Sequence, residues 1–306
     1  MWLSRLAISL LLLGLGIPGW AQARFSARAD LVVLSATAVD GKGRPVRDLR
    51  ADEFRVYDEG RPQLLRHFVQ GPELAARLLL LVDASGSMNS ELKTTSSRMA
   101  AYQLLDALPP EDQVALAGFD HKYWGIVAFT REREKVKAAF DELAPFGSTA
   151  LHDALDKAAS DIASHGEGRR AVVVITDGVD TASQKAPDDV IARSRALDVP
   201  IYAISVVSPL DDPRSERFAG QERPAAATAG SALLARYSQQ SGGAAFLVSD
   251  FSALREAATQ IVAELKHQYR LGYEPPDSPK HFRRIEVRST RKGVVVRTRS
   301  GYVPPS

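Results

Sequence analysis

The chain has 306 residues, enough for two modest domains or one large one, and 45% apolar with 25% charged residues is the balance of a folded globular protein. Its 39 basic and 37 acidic side chains leave a net charge of +2, which argues against a nucleic-acid or polyanion partner. The absence of cysteine excludes disulfides, thiolate metal sites and cysteine nucleophiles.

The N-terminus has the parts of a secretory signal peptide: Arg5, an apolar run over 6–16, and the small-x-small end Ala21-Gln22-Ala23. The run is shorter than the roughly 20 residues a membrane span needs. Residues 1–23 are therefore expected to be removed, leaving an exported chain, periplasmic or secreted, that starts near Arg24 and has no membrane span. Retention of the segment as an anchor is the alternative.

Short strands are expected next, at 31–39, 54–57 and 63–69, separated by the turn signals Asp40-Gly41-Lys42-Gly43 and Asp58-Glu59-Gly60. From Arg77 the pattern changes. Residues 78–82 and 171–176 are continuous apolar runs, as in strands buried on both faces. Between and after them lie helical stretches, including one with Leu92, Met99, Tyr102 and Leu105 on a stripe, and one with Phe251, Leu254, Ala258, Ile261 and Leu265 at spacings of three and four. Two strands, 114–119 and 123–129, flank the tight Asp120-His121-Lys122 turn. Strands at 201–206 and 244–248 and helices at 131–143, 150–163, 187–197 and 231–240 complete an alternating pattern. That pattern implies a doubly wound α/β unit with a mostly parallel six-stranded sheet and helices on both faces. Residues 209–230 show no periodicity and read as a long loop.

After Lys266 strand character returns at 269–273, and a hairpin of 282–288 with 294–298 is expected around 290–293. Basic residues crowd 283–299 but alternate with Ile285, Val287 and Val295, so they read as solvent-facing strand positions. The two β segments, 24–73 and 268–306, are each too small to stand alone. They are expected to form one discontinuous, sandwich-like β domain into which the α/β domain, 74–267, is inserted.

Three segments stand out within the α/β pattern: Asp83-Ala84-Ser85-Gly86-Ser87 after the first buried strand, Gly147-Ser148-Thr149 opening a helix, and Thr176-Asp177-Gly178 after the second buried strand. Singly, each has a structural reading. Ser85, Ser87 or Thr149 can cap a helix, and Asp177-Gly178 can be a turn. Together they place two carboxylates and three hydroxyls at the carboxyl ends of parallel strands, where such sheets bind ligands. Oxygen donors without His or Cys suit Mg²⁺, Mn²⁺ or Ca²⁺, and few carboxylates with several waters suit Mg²⁺ in particular.

Asp-x-Ser-x-Ser, a Thr, then Thr-Asp-Gly resembles the metal-ion-dependent adhesion site of von Willebrand factor type A domains. Its positions here are Asp83, Ser85, Ser87, Thr149 and Asp177, and the resemblance covers about 74–267. The flanks at 46–63, 269–273 and 282–302 look like those around this domain in the VWFA-related family named after acidobacteria. The resemblance implies a binding protein whose metal captures an acidic residue of another exported protein, contacted by Met88, Phe146, Gly147 and Val179 around the ion.

Two other readings are carried alongside: a structural envelope module whose metal stabilises the fold, and a Mg²⁺-dependent phosphotransferase. The sequence disfavours enzymes. A haloacid-dehalogenase-like phosphotransferase needs an Asp where Ser85 stands. Ala84-Ser85-Gly86 lacks the Gly-x-Ser-x-Gly of a nucleophile elbow. The six His residues show no metalloprotease spacing. His152, beside Asp153 on the first turn of a helix, reads as packed or solvated and not as a base.

Overall fold

The computed structural model describes residues 31–70, 75–166, 168–206, 225–276 and 281–304. The expected signal segment lies outside them. Among the described residues, no helix is long and apolar enough to cross a membrane.

The α/β unit is a six-stranded sheet. Its strands are β5 (Arg77–Asp83), β6 (Gln113–Phe119), β7 (Tyr123–Thr130), β8 (Arg170–Thr176), β9 (Ile201–Val206) and β10 (Ala245–Val248), in the order β10-β9-β8-β5-β6-β7. All neighbours run parallel except β7, which returns antiparallel along β6 through the Asp120-His121-Lys122 turn. Burial on both sides follows from the continuous apolar runs. Leu78, Leu80 and Val82 face helices α1 (Glu91–Ala107), α2 (Arg133–Asp141) and α6 (Phe251–Lys266). Leu79 and Leu81 face α3 (Leu151–Ser164), α4 (Pro187–Leu197) and α5 (Ala225–Ser241). The chain leaves β5 to build β6 on one side, whereas β8 lies on the other, so the reversal of strand order falls between β5 and β8. The doubly wound fold read from the sequence is the observed one.

Two four-stranded sheets accompany it. One has the order β13-β1-β11-β4, from β13 (Val295–Thr298), β1 (Val32–Val39), β11 (Tyr269–Tyr273) and β4 (Leu65–Gln70). The other has the order β14-β12-β2-β3, from β14 (Gly301–Tyr302), β12 (Arg283–Ser289), β2 (Phe54–Asp58) and β3 (Arg61–Gln63). Strands from the two ends of the chain pair directly: Leu34 opposite Leu271 and Val56 opposite Val287. Their inner faces share one core of Leu34, Phe54, Val56, Tyr269, Leu271 and Ile285, among others.

Three expectations differ in detail. The single strand expected over 63–69 is two, because the chain leaves β3 and enters the other sheet as β4 at the exposed Leu64. The expected hairpin of 282–288 with 294–298 is not a ladder: β12 pairs with β2 and β14, and β13 pairs with β1 across the sandwich. The long loop expected over 209–230 gives way at Ala225 to helix α5, and the rest of it lies outside the described residues.

Polar contacts join the small sheets to the α/β unit. Asp198 closes α4 in a left-handed conformation, and its carboxylate accepts from Ser35 N and Oγ on β1 at 3.0 and 2.8 Å. The fully buried Glu264 of α6 pairs with Arg297 of β13. Leu31–Ser306 is one compact unit.

Inside the sandwich, the fully buried Asp58 takes Arg283 Nε at 2.7 Å and the hydroxyls of Tyr273 and Tyr302 at 2.9 and 3.1 Å. Removing one partner of such a pair strands a charge in a low-dielectric core. Arg283→Met is expected to cost about 3–5 kcal/mol in urea unfolding. A loss under about 1 kcal/mol shows that the two tyrosines alone satisfy the carboxylate.

Candidate metal centre

Asp83 is the last residue of β5 and Asp177 follows β8, so both carboxylates emerge at the switch point between these adjacent strands. Asp83 is buried, and each of its oxygens is engaged. Oδ1 accepts from Ser85 N at 2.9 Å, and Oδ2 accepts from Thr176 Oγ1 at 2.5 Å. Burial pushes the Asp83 carboxyl up to about 6, against the hydrogen bonds from Ser85 and Thr176 and helped by the nearby charge of Asp177. Among the described residues no positive side chain hydrogen-bonds to Asp83, whose partners are Ser85 and Thr176.

The loop after β5 winds into a single 3-10 turn, Gly86–Met88, which brings Ser85 Oγ and Ser87 Oγ to 3.1 Å. Ser85 is buried and Ser87 faces solvent. Neither caps α1; that role belongs to Ser90, whose hydroxyl accepts from Lys93 N. The capping alternative for the two serines is therefore removed.

The Thr149 loop is held against this turn. Phe146 N donates to Ala84 O, and Gly86 N donates to Gly147 O, both at 2.8 Å. Gly147 adopts φ +86, which favours glycine, and a Cβ on Gly86 would sit 3.1 Å from Gly147 O. Thr149 is buried and makes no side-chain cap for α3. Its own backbone is clamped: Thr149 N donates to Thr181 Oγ1, while Thr149 O accepts from Thr181 N and Ala182 N. Asp180 and Ser183 continue the clamp by accepting from His152 N at the start of α3. These bonds couple the Thr149 and Asp177 loops.

Asp177 is buried, with Oδ1 accepting from Val179 N at 3.1 Å. Gly178 has φ +82 and lies where a Cβ would come within 2.9 Å of the Gly230 backbone on α5, so the Thr-Asp-Gly turn requires glycine on both counts.

All five oxygen residues read from the sequence thus stand on three mutually bonded loops at one sheet edge. Two carboxylates with three hydroxyls form a hard donor set, and such a set with a desolvated Asp83 fits a divalent cation. Of the four residues expected to meet a ligand, Phe146 and Gly147 are exposed, Phe146 at 81%, and Val179 is half-buried. Met88 is a correction. It is 1% exposed, because the 3-10 turn points it into the core against α1, so it cannot touch a partner.

His152 is packed: its Nδ1 lies 2.9 Å from Tyr237 OH, and burial lowers its pKa. Thr176 Oγ1, which bridges Asp83 and Gly178 N, and Thr181 were missed as supports. So was Lys93, whose ammonium contacts Asp177 Oδ2. Thr176 stood inside a recognised motif; Thr181 and Lys93 carried no signal in the sequence.

Residues 78–179 match the family model of the von Willebrand factor type A domain. Over those residues the chain is similar to a von Willebrand factor type A domain. A solved structure described as von Willebrand factor type A from Catenulispora acidiphila aligns with a TM-score of 0.51 at 12% identity, covering 91% of this chain and 76% of that one. Proximal thread matrix protein 1 from the mussel byssus, in a structure with a zinc-occupied MIDAS motif, aligns with a TM-score of 0.50 at 19% identity, covering 68% and 49%. A UPF0353 protein from Mycolicibacterium gilvum (strain PYR-GCK) is 27% identical in an alignment of length 226 that covers 68% of this chain. The match spans 64% of that relative's length.

Proposed function

We propose that this protein is an exported, non-enzymatic binding protein that uses a divalent ion held by Asp83, Ser85, Ser87, Thr149 and Asp177 to capture an acidic residue of another exported protein. The observation that carries this reading is the convergence of those five residues on three cross-bonded loops at the switch point between β5 and β8. Asp83 and Asp177 would neutralise the ion, and the hydroxyls would add oxygens without charge. Mg²⁺ or Mn²⁺ fits such a set best, with Ca²⁺ also compatible; the zinc of the mussel protein makes Zn²⁺ a necessary comparison in the assay. A bound ion supplies a positive point at the domain surface that a carboxylate satisfies better than a neutral group.

The rim suits a protein ligand. Phe146, with Gly147 and Ser148 beside it, stands exposed next to the three loops, and Leu92 on the first turn of α1 is 43% exposed. Apolar contacts there would set specificity around a generic metal contact. The packed His152 and the absence of an acid/base Asp at Ser85 favour binding over phosphotransfer. The sequence of the flanks, 46–63, 269–273 and 282–302, resembles that around this domain in the VWFA-related family named after acidobacteria, and the export expectation rests on the N-terminal sequence.

The test is affinity capture from an envelope extract, followed by three challenges to the captured complex: EDTA, Asp83→Ala, and neutralisation of the partner's acidic residue. Each is expected to release the partner. Binding that survives all three makes the metal structural, and the envelope-module reading takes over. Turnover of a phosphorylated substrate with Mg²⁺ would support the phosphotransferase instead.

A further inference from the structure

Lys93 occupies an unusual place. Its Nζ lies 2.8 Å from Asp177 Oδ2 and 3.1 Å from the Ser87 carbonyl oxygen, so one ammonium joins two of the loops that carry the five oxygen residues. The contact is sheltered: the Lys93 side chain is 19% exposed and that of Asp177 is 7%. The helix itself does not call for a lysine here. Lys93 is in the first turn of α1, where the positive end of the helix dipole opposes a cation. Its charge answers to Asp177.

The geometry points to Lys93 as a built-in competitor for the metal, which must be displaced from Asp177 before a divalent ion can bind. The inference rests on the reading of these residues as a metal site. Asp177 Oδ1 is already turned towards Val179 N, which fixes the carboxylate plane and leaves Oδ2 as the oxygen offered to a cation. Lys93 holds that oxygen. Two cations within about 4 Å of one another on a single carboxylate oxygen repel strongly in a partly desolvated site. Lysine can leave where arginine would leave less readily, because its four-carbon stem is flexible and its head is a point charge without a fork. The Ser87 carbonyl gives the ammonium a second acceptor, so its departure breaks two contacts. The site therefore binds an ion more weakly than its oxygen set alone would allow, and occupancy follows the local ion concentration.

The test measures Mn²⁺ affinity of the full chain by calorimetry or electron paramagnetic resonance. Lys93→Met is expected to bind Mn²⁺ about tenfold or more tightly than the wild type, because the competing charge is gone. Lys93→Arg, which keeps the charge, is expected to match the wild type or bind more weakly. A second readout needs no variant: Mn²⁺ should raise the acylation rate of Lys93, followed by mass spectrometry, as the ammonium is freed. If Lys93→Met binds Mn²⁺ as the wild type does, or more weakly, and the acylation of Lys93 ignores Mn²⁺, the competition is wrong while the metal site stands. If none of the proteins binds Mn²⁺, the metal-site reading falls and takes this inference with it.

Discussion

Asp83→Ala is expected to abolish Mg²⁺ and Mn²⁺ binding while the fold survives. Asp83 is one of only two carboxylates among the five oxygen residues, and it is buried at the end of a central strand. No other acidic group can replace its charge from the same strand. The loss should exceed the roughly 10–100-fold that accompanies changes to residues behind a metal's direct ligands. Single alanines at Ser85, Ser87 and Thr149 remove neutral oxygens and should weaken binding less. Calorimetry with each variant decides the order, and unchanged affinity in Asp83→Ala removes this site from consideration.

The same residue has a cost without the ion. Its carboxyl is raised to about 6 from an ordinary 3.8 by burial. Because the folded pKa lies above the unfolded one, the native state binds the extra proton between these values. The ionised Asp83 thus destabilises the fold fully above about pH 6, and the penalty is relieved as pH falls towards 4. In EDTA at neutral pH, Asp83→Asn should be more stable than the wild type by up to about 3 kcal/mol. Added Mg²⁺ should reverse the order, because only the wild type gains from the ion. Thermal unfolding in the two buffers checks the crossing.

A chain ending at Lys266 is expected to lose its N-terminal strands and aggregate. Truncation strips β1 of both neighbours, β11 and β13, and strips β2 of β12. Val32, Leu34, Ala36, Phe54 and Val56, all buried against those strands, would then face water. Each large apolar side chain so exposed costs about 1.5–3 kcal/mol, and a few such losses rival the total stability of an ordinary domain. By contrast, residues 74–267 alone should fold. The two cores of the α/β unit draw only on residues between Leu78 and Leu265. Glu264 and Asp198, which lose Arg297 and Ser35 in that fragment, would regain water. Hydrogen exchange and light scattering on the two fragments test the proposed division into 24–73 with 268–306 and 74–267. Protected amides across 32–39 in the chain ending at Lys266 would refute it.

Much of this was written in the residues themselves. Continuous apolar runs at 78–82 and 171–176 are satisfied by strands covered on both faces, and the stripes Met99 to Leu105 and Leu254 to Leu265 supply covering helices, whereas Leu92 and Phe251 at the first turns of those helices are exposed. Asp83, Ser85, Ser87 and Asp177 stand at or just after the ends of those strands and Thr149 precedes a helix, so the five are legible as a set only when the three segments are read together with the resemblance they carry. What the sequence could not decide was which of two stacked sheets a strand joins. Alternating burial along 63–69 or 282–298 looks the same from either side of a sandwich, so the crossing at Leu64 and the parting of β12 from β13 emerge only when both sheets are assembled. The direction of single side chains was likewise beyond periodicity: one 3-10 turn sends Met88 into the core. Lys93 shows the limit most sharply. Its neighbours in the chain make it an ordinary helix-surface lysine, and only the packing of α1 beside β8 lets its long stem reach a carboxylate 84 positions away.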